Sequence, residues 1–243
     1  MGLLDIFSSS PEKKIEKTKK VMLNEHHQAQ VRQGAIYDLM HNEHPAAIDA
    51  LVERLGVSMR DTIQNEKEQG WVHDILVDRC KEKAIEPLKG YIREHLLISK
   101  AILALRELIS EEDLIAFLCE VLSSYEPKDH RSVDARQNLV DALGDLEESP
   151  LAVLLPYTLD HSDDVRVKVI NVIRERISAS RGDEGESAKA LIEALTDPFA
   201  SGRTMRAAGK ALVDLKLNVA SFAEPIAELE EFALSADGQL IAR

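Results

Sequence analysis

Two groups of side chains in this chain have types and spacings that invite a chemical reading. His26-His27 and His41-x-x-His44 could begin a metal site. Zinc, however, needs three or four converging ligands with supporting hydrogen bonds. No cysteine lies near either pair, and His44 precedes Pro45 in a turn. Surface or capping histidines are the simpler reading, and no metal is expected. The acid pair Glu230-Glu231 is adjacent on a helix, so the two carboxylates point apart rather than share a substrate. No HExxH pattern, phosphate-cradling glycine loop or nucleophile motif is present. These residues predict no catalytic group and no cofactor.

A third group recurs. The phrase Val165-Arg166-x-x-Val169-Ile170-x-Val172-Ile173 follows Asp163-Asp164, and related phrases start at Val31, Ala135 and Met205. Each has an arginine next in line: Arg32, Arg136 and Arg206. At about 100° per residue, Arg166 falls inside the apolar arc drawn by Val165, Val169, Val172, Ile173 and Ile177. The same offset gives His73 after Val72, and Ile98 after Leu97 in a degenerate copy. A guanidinium on the packing side needs an acceptor. Asp163 and Asp164, and Asp129 or Asp134 in the earlier copy, are the candidates. Arg32, Arg136, Arg166 and Arg206 are therefore expected to join neighbouring helices, with an anion-binding ladder as the competing reading.

Recurrence at intervals of about 25 to 45 residues is the signature of stacked helix pairs. Helices are predicted near 28–40, 45–57, 65–79, 81–94, 97–108, 111–125, 132–146, 149–160, 163–177, 185–196, 203–215 and 221–234. Ser10-Pro11-Glu12 opens a Lys-rich helix before them, with a hydroxyl cap, a proline at the first position and an acid near the positive end. No period-2 run is long enough to predict a strand. Ser58 to Gly70 and Ser178 to Ser187 are expected to be loops, and Trp71 to enter the core or form a platform beside the first loop.

The second-helix pattern D-x-x-V-R-x-x-A/V, preceded by a first helix of P-x-L-x-x-L type, resembles HEAT repeats of the short bacterial kind. Ala152 to Asp160 followed by Ser162-Asp163-Asp164-Val165-Arg166 is the best match, and Ile85-Glu86-Pro87-Leu88 fits the first-helix pattern. The resemblance covers residues 25–235. It implies an all-α fold, an α-solenoid of about six helix pairs, whose second helices line a concave partner surface. Residues 1–24 would form an N-terminal apolar tip and capping helix, and residues 25–243 the solenoid.

Opposite the core on the second helices lies a polar row of mixed sign. It runs through Gln33, Tyr37 and His41, then Asp74 and Asp78, then Lys100 and Glu107. Gln137 and Asp141 follow, then Lys168, Asn171 and Arg174. This row is the candidate partner-binding surface, with plain solvation as the alternative. Tyr37 is its one residue of the type that dominates interface energetics. The last copy departs from the pattern: Ala207, Ala208, Ala211 and Leu215 make that helix apolar nearly all round, so it needs a cover. The chain's own tail, with Leu240 and Ile241, or another subunit would supply it.

Bulk properties narrow the function classes. The formal charge of -13 and the mixed signs of the row argue against a nucleic-acid surface, which needs clustered Lys and Arg. Charge is uneven: residues 1–23 carry five lysines against three acids, a net +2, and the remainder is -15. Leu3, Leu4, Ile6 and Phe7 before those lysines suggest either a cap on the first repeat or a peripheral tether to an anionic membrane. That stretch lacks the basic leader of a secretory signal, and Ile6 stands where myristoylation favours Ser or Thr. Cys80 and Cys119 are too few and too far apart for a disulfide framework and are expected as buried thiols, so a cytoplasmic setting is expected. A scaffold that holds a protein partner is the leading expectation. The alternatives are a membrane-associated adaptor tethered through residues 1–20, and a HEAT-like enzyme of the phycobilin-lyase or DNA-glycosylase type. Partner identity and oligomeric state are not encoded in any motif.

Overall fold

A computed structural model describes residues 10–243, which form helices joined by loops and one short hairpin. The apolar stretch Leu3 to Phe7 lies outside the described residues. Contacts divide the chain into two compact units, one ending at Leu114 and the other starting at Ile115. No helix among the described residues is long and apolar enough to cross a membrane.

The first unit opens with α1 (Pro11–Leu23), where the Ser10 hydroxyl accepts from the Lys13 amide and Pro11 takes the first position. It continues with α2 (Ala29–Met40), α3 (Pro45–Leu55), α4 (Thr62–Asp74), α5 (Ile85–Glu94) and α6 (Ser99–Arg106). The central helix is α3, packed against α1, α2, α4, α5 and α6. Ile36, Leu39, Leu51, Leu76, Leu88, Ile92 and Leu105 are fully buried around it.

Two expectations for this unit change. The polar run within Ser58 to Gly70 is helix from Thr62 onward, because Asp61 caps it by accepting from the Gln64 amide at 3.0 Å. Its polar residues Asn65, Glu68 and Gln69 are buried among partners rather than solvated. Trp71 therefore lies within α4, half-buried, and not beside a loop. The expected helix 65–79 loosens into a π-helical stretch, Ile75–Cys80. Lys81, at φ 51°, breaks the chain there, and a 3-10 turn over Lys81–Ala84 leads into α5.

The second unit begins within α7 (Glu111–Ser123). It continues with α8 (Val133–Asp145), α9 (Leu151–Leu154), α10 (Asp163–Ser178), α11 (Glu184–Thr196), α12 (Gly202–Leu215) and α13 (Ala223–Ala227). Helices α8, α10 and α12 pack side by side. The 3-10 stretch Leu155–Leu159 packs on α10 and α11, making a second layer with α11. The expected helix 149–160 is thus half α and half 3-10, with Pro156 inside the tightened part and no amide to donate there. Asp183 caps α11 by accepting from the Glu186 amide, which shortens the expected Ser178 to Ser187 loop.

The expected helix 221–234 is largely absent. After the short α13, β1 (Phe232–Leu234) pairs antiparallel with β2 (Leu240–Ala242), with Phe232 opposite Ala242 and Leu234 opposite Leu240. Asp237-Gly238 makes the turn, where Gly238 takes φ 77°. That dipeptide between two short apolar runs was the missed hairpin signal. The hairpin packs on α12 through β2, with Leu240 buried and Ile241 exposed. Phe232 points straight at Gly209, where a Cβ would come within 2.2 Å of its ring. The tail therefore covers the apolar helix.

Candidate functional site

The arginines separate into different roles once their partners are known. Arg32 is buried and donates to Glu68, from Nε at 3.0 Å and from Nη2 at 2.8 Å, with Nη1 on the His27 carbonyl. Glu68 also accepts from Arg54 at 3.0 Å, and Arg54 reaches Asn65 at 2.9 Å and the Val57 carbonyl at 2.8 Å. Burial pushes the Glu68 carboxyl up, but the hydrogen bonds and charges of Arg32 and Arg54 outweigh it and hold the group below 4.5. Arg54 and Glu68 carry none of the recurrent spacing, so periodicity could not reveal them. Glu68 stands in the polar first half of α4, where no apolar spacing marks an inward face.

In the second unit, Arg136 is fully buried and clamps Asp160 with Nε at 2.6 Å and Nη2 at 3.0 Å. The expected acceptor Asp129 contributes only its carbonyl, at 2.7 Å, and Asp134 is exposed. Arg166 donates to the Asp160 carbonyl and, at 2.7 Å, to the Asp197 carboxylate at the end of α11. The expected Asp163 instead accepts from the Thr204 hydroxyl at 2.8 Å, and Asp164 pairs with Arg203. Asp164 and Asp163 start α10 and bind α12, so they join neighbours, though not through Arg166. Arg206 lies exposed on the surface, and the buried inward slot on α12 is filled by Thr204. Arg176, which the repeat does not mark, is buried and donates to the carbonyls of Leu143, Leu146, Glu147 and Ser149, closing the C-terminus of α8.

The polar row is organised by ion pairs between helices. In the first unit Lys100 pairs with Glu66 at 2.8 Å, and Glu107 meets His73 Nε2 at 3.2 Å. Tyr37 is 55% exposed, its ring 4.2 Å from that of His41, whose Nδ1 lies 2.9 Å from the Tyr37 carbonyl. Gln33 is half-buried, and Asp74 and Asp78 are exposed. In the second unit Lys168 pairs with Asp141 at 3.1 Å and Arg174 with Asp214 at 3.7 Å. Lys168, Asn171 and Arg174 line a shallow cavity of about 240 Å³ beside Gly144, while Gln137 is exposed. The structure thus gathers Lys168, Asn171 and Arg174 into one site and spreads the rest along each unit.

The histidine pairs have other tasks. His44 caps α3, its Nδ1 accepting from the Ala46 amide at 3.2 Å while Nε2 faces Glu12 at 3.2 Å. Among the described residues no group of three His, Cys, Asp or Glu side chains could hold a metal ion. Cys80 and Cys119 are free and half-buried rather than buried, and burial pushes both thiols up. Compared with family models, curated proteins and solved structures, the chain matches none.

Proposed function

We propose that the chain is a non-catalytic scaffold, a HEAT-like solenoid that holds a protein partner on the exposed faces of its second helices. The observation that carries this reading is the cross-helix pairing of the polar row. Glu66–Lys100, His73–Glu107, Asp141–Lys168 and Arg174–Asp214 each span two elements, so the row is pre-ordered before a partner arrives. Exposed Tyr37 supplies a large rigid anchor in the first unit's part of the row. The mixed sign of the pairs suits a protein surface, where charges select partners and register.

Affinity capture from host extract tests the reading, with native protein beside a Tyr37→Ala, Lys168→Glu, Arg174→Glu variant. A protein retained by the first and lost by the second is the expected result. Equal retention by both would move the site off the row, and a substrate turned over by the pure protein would end the non-catalytic reading.

A further inference from the structure

We propose that the groove between α1 and α2 docks an acidic amphipathic helix of a protein partner. This rests on the scaffold reading but assigns a separate surface and a partner chemistry. The groove holds about 750 Å³ and is floored by Val21, Val31 and Gly34, with Lys13, Lys14 and Lys17 along its α1 edge. Val31 heads the first repeat phrase, yet it is 45% exposed here rather than in the core. A Cβ at Gly34 would meet nothing within 4 Å, so the floor is open at mid-helix.

The lysines along this edge differ from the others on α1 in their partners among the described residues. Lys19 and Lys20 on the same helix pair with Glu16, and Lys19 also pairs with Glu53. Lys13, Lys14 and Lys17 have no carboxylate within ion-pair distance among the described residues. Three lysines on the α1 edge against one acid, Asp38, on the α2 side, beside exposed apolar floor, ask for a ligand with an apolar stripe and acids on its α1-facing flank. Concavity then selects the ligand's form. A helix about 10 Å across can lay its stripe along the groove with its acids against the α1 lysines, a fit that a flat bilayer matches less well. Asp38 at the α2 end of the groove repels acids there and biases them towards the α1 edge.

Fluorescence anisotropy with the full-length chain tests this. The probe is a labelled peptide of about four turns, leucine at helical i, i+3, i+4 and i+7 spacing and glutamate elsewhere, beside a twin with lysine for glutamate. The acidic peptide should bind, weaken with added salt, and lose about tenfold or more in affinity in a Lys13→Glu, Lys14→Glu, Lys17→Glu variant. Gly34→Leu, which fills open space on a helix and should fold normally by circular dichroism, should cause a similar loss. Lys168→Glu with Arg174→Glu should leave peptide affinity unchanged. No binding, equal binding of the lysine twin, or indifference to Gly34→Leu would overturn the inference. Binding of anionic phospholipid vesicles that needs the lysines but ignores Gly34→Leu would also overturn it, in favour of a membrane. Any of these outcomes leaves the polar-row reading standing if capture through Tyr37, Lys168 and Arg174 succeeds.

Discussion

Arg136 on α8 and Asp160 before α10 form a two-point clamp, 2.6 and 3.0 Å long, with both side chains fully excluded from water. Asp160 simultaneously accepts from the Ser162 amide at 2.8 Å, and its carbonyl accepts from Arg166. One residue thus ties the start of α10 to α8 and to the arginine that reaches forward to Asp197.

Removing Asp160 should therefore be costly. Asp160→Ala leaves a buried, half-partnered guanidinium, and breaking a buried pair in this way costs about 3–5 kcal/mol. Urea denaturation should show a loss of unfolding free energy of that size, read from a lower midpoint at unchanged slope. A loss below about 1 kcal/mol, the range of exposed pairs, would mean that water reaches Arg136.

The Glu68 cluster should make the protein acid-sensitive. Because the folded carboxyl is held below 4.5 by Arg32 and Arg54, its contribution is present above the unfolded value and is lost as pH falls through the folded one. Glu68→Gln should be less stable at pH 7 and lose less stability than native protein below pH 4.5. Parallel acid melts of the two proteins would show that the arginines do not select the carboxylate.

Two helix glycines should respond in opposite directions. Gly34 meets open space, so Gly34→Ala should stabilise by about 0.5–1 kcal/mol through helix propensity and reduced unfolded-chain entropy. At Gly209 the same change would drive a methyl group into the Phe232 ring. Gly209→Ala should destabilise and expose residues 231–243 to limited proteolysis. Adding Phe232→Ala should relieve the clash without restoring the packing, and a Gly209→Ala protein with a protected tail would refute the contact.

Helical class, the positions of most helices and the inward course of Arg32, Arg136 and Arg166 were legible because each depends on local spacing: apolar residues every three or four positions, a cap at Ser10, prolines at helix starts. The partners of those arginines were not. Glu68, Asp160 and Asp197 lie 36, 24 and 31 residues away, and local order cannot tell which acid a buried guanidinium will meet. Arg206 shares the spacing but ends exposed, since the α12 environment offers the smaller Thr204 to Asp163 instead. Val31 shares the apolar code but lies on a groove floor, because burial depends on what packs above a face and not on the face itself. The C-terminal hairpin carries a local turn signal in Asp237-Gly238, but what its strands cover is a tertiary matter. Residues 232–242 form strands where they can cover α12, a tertiary demand that outweighs weak local helix propensity.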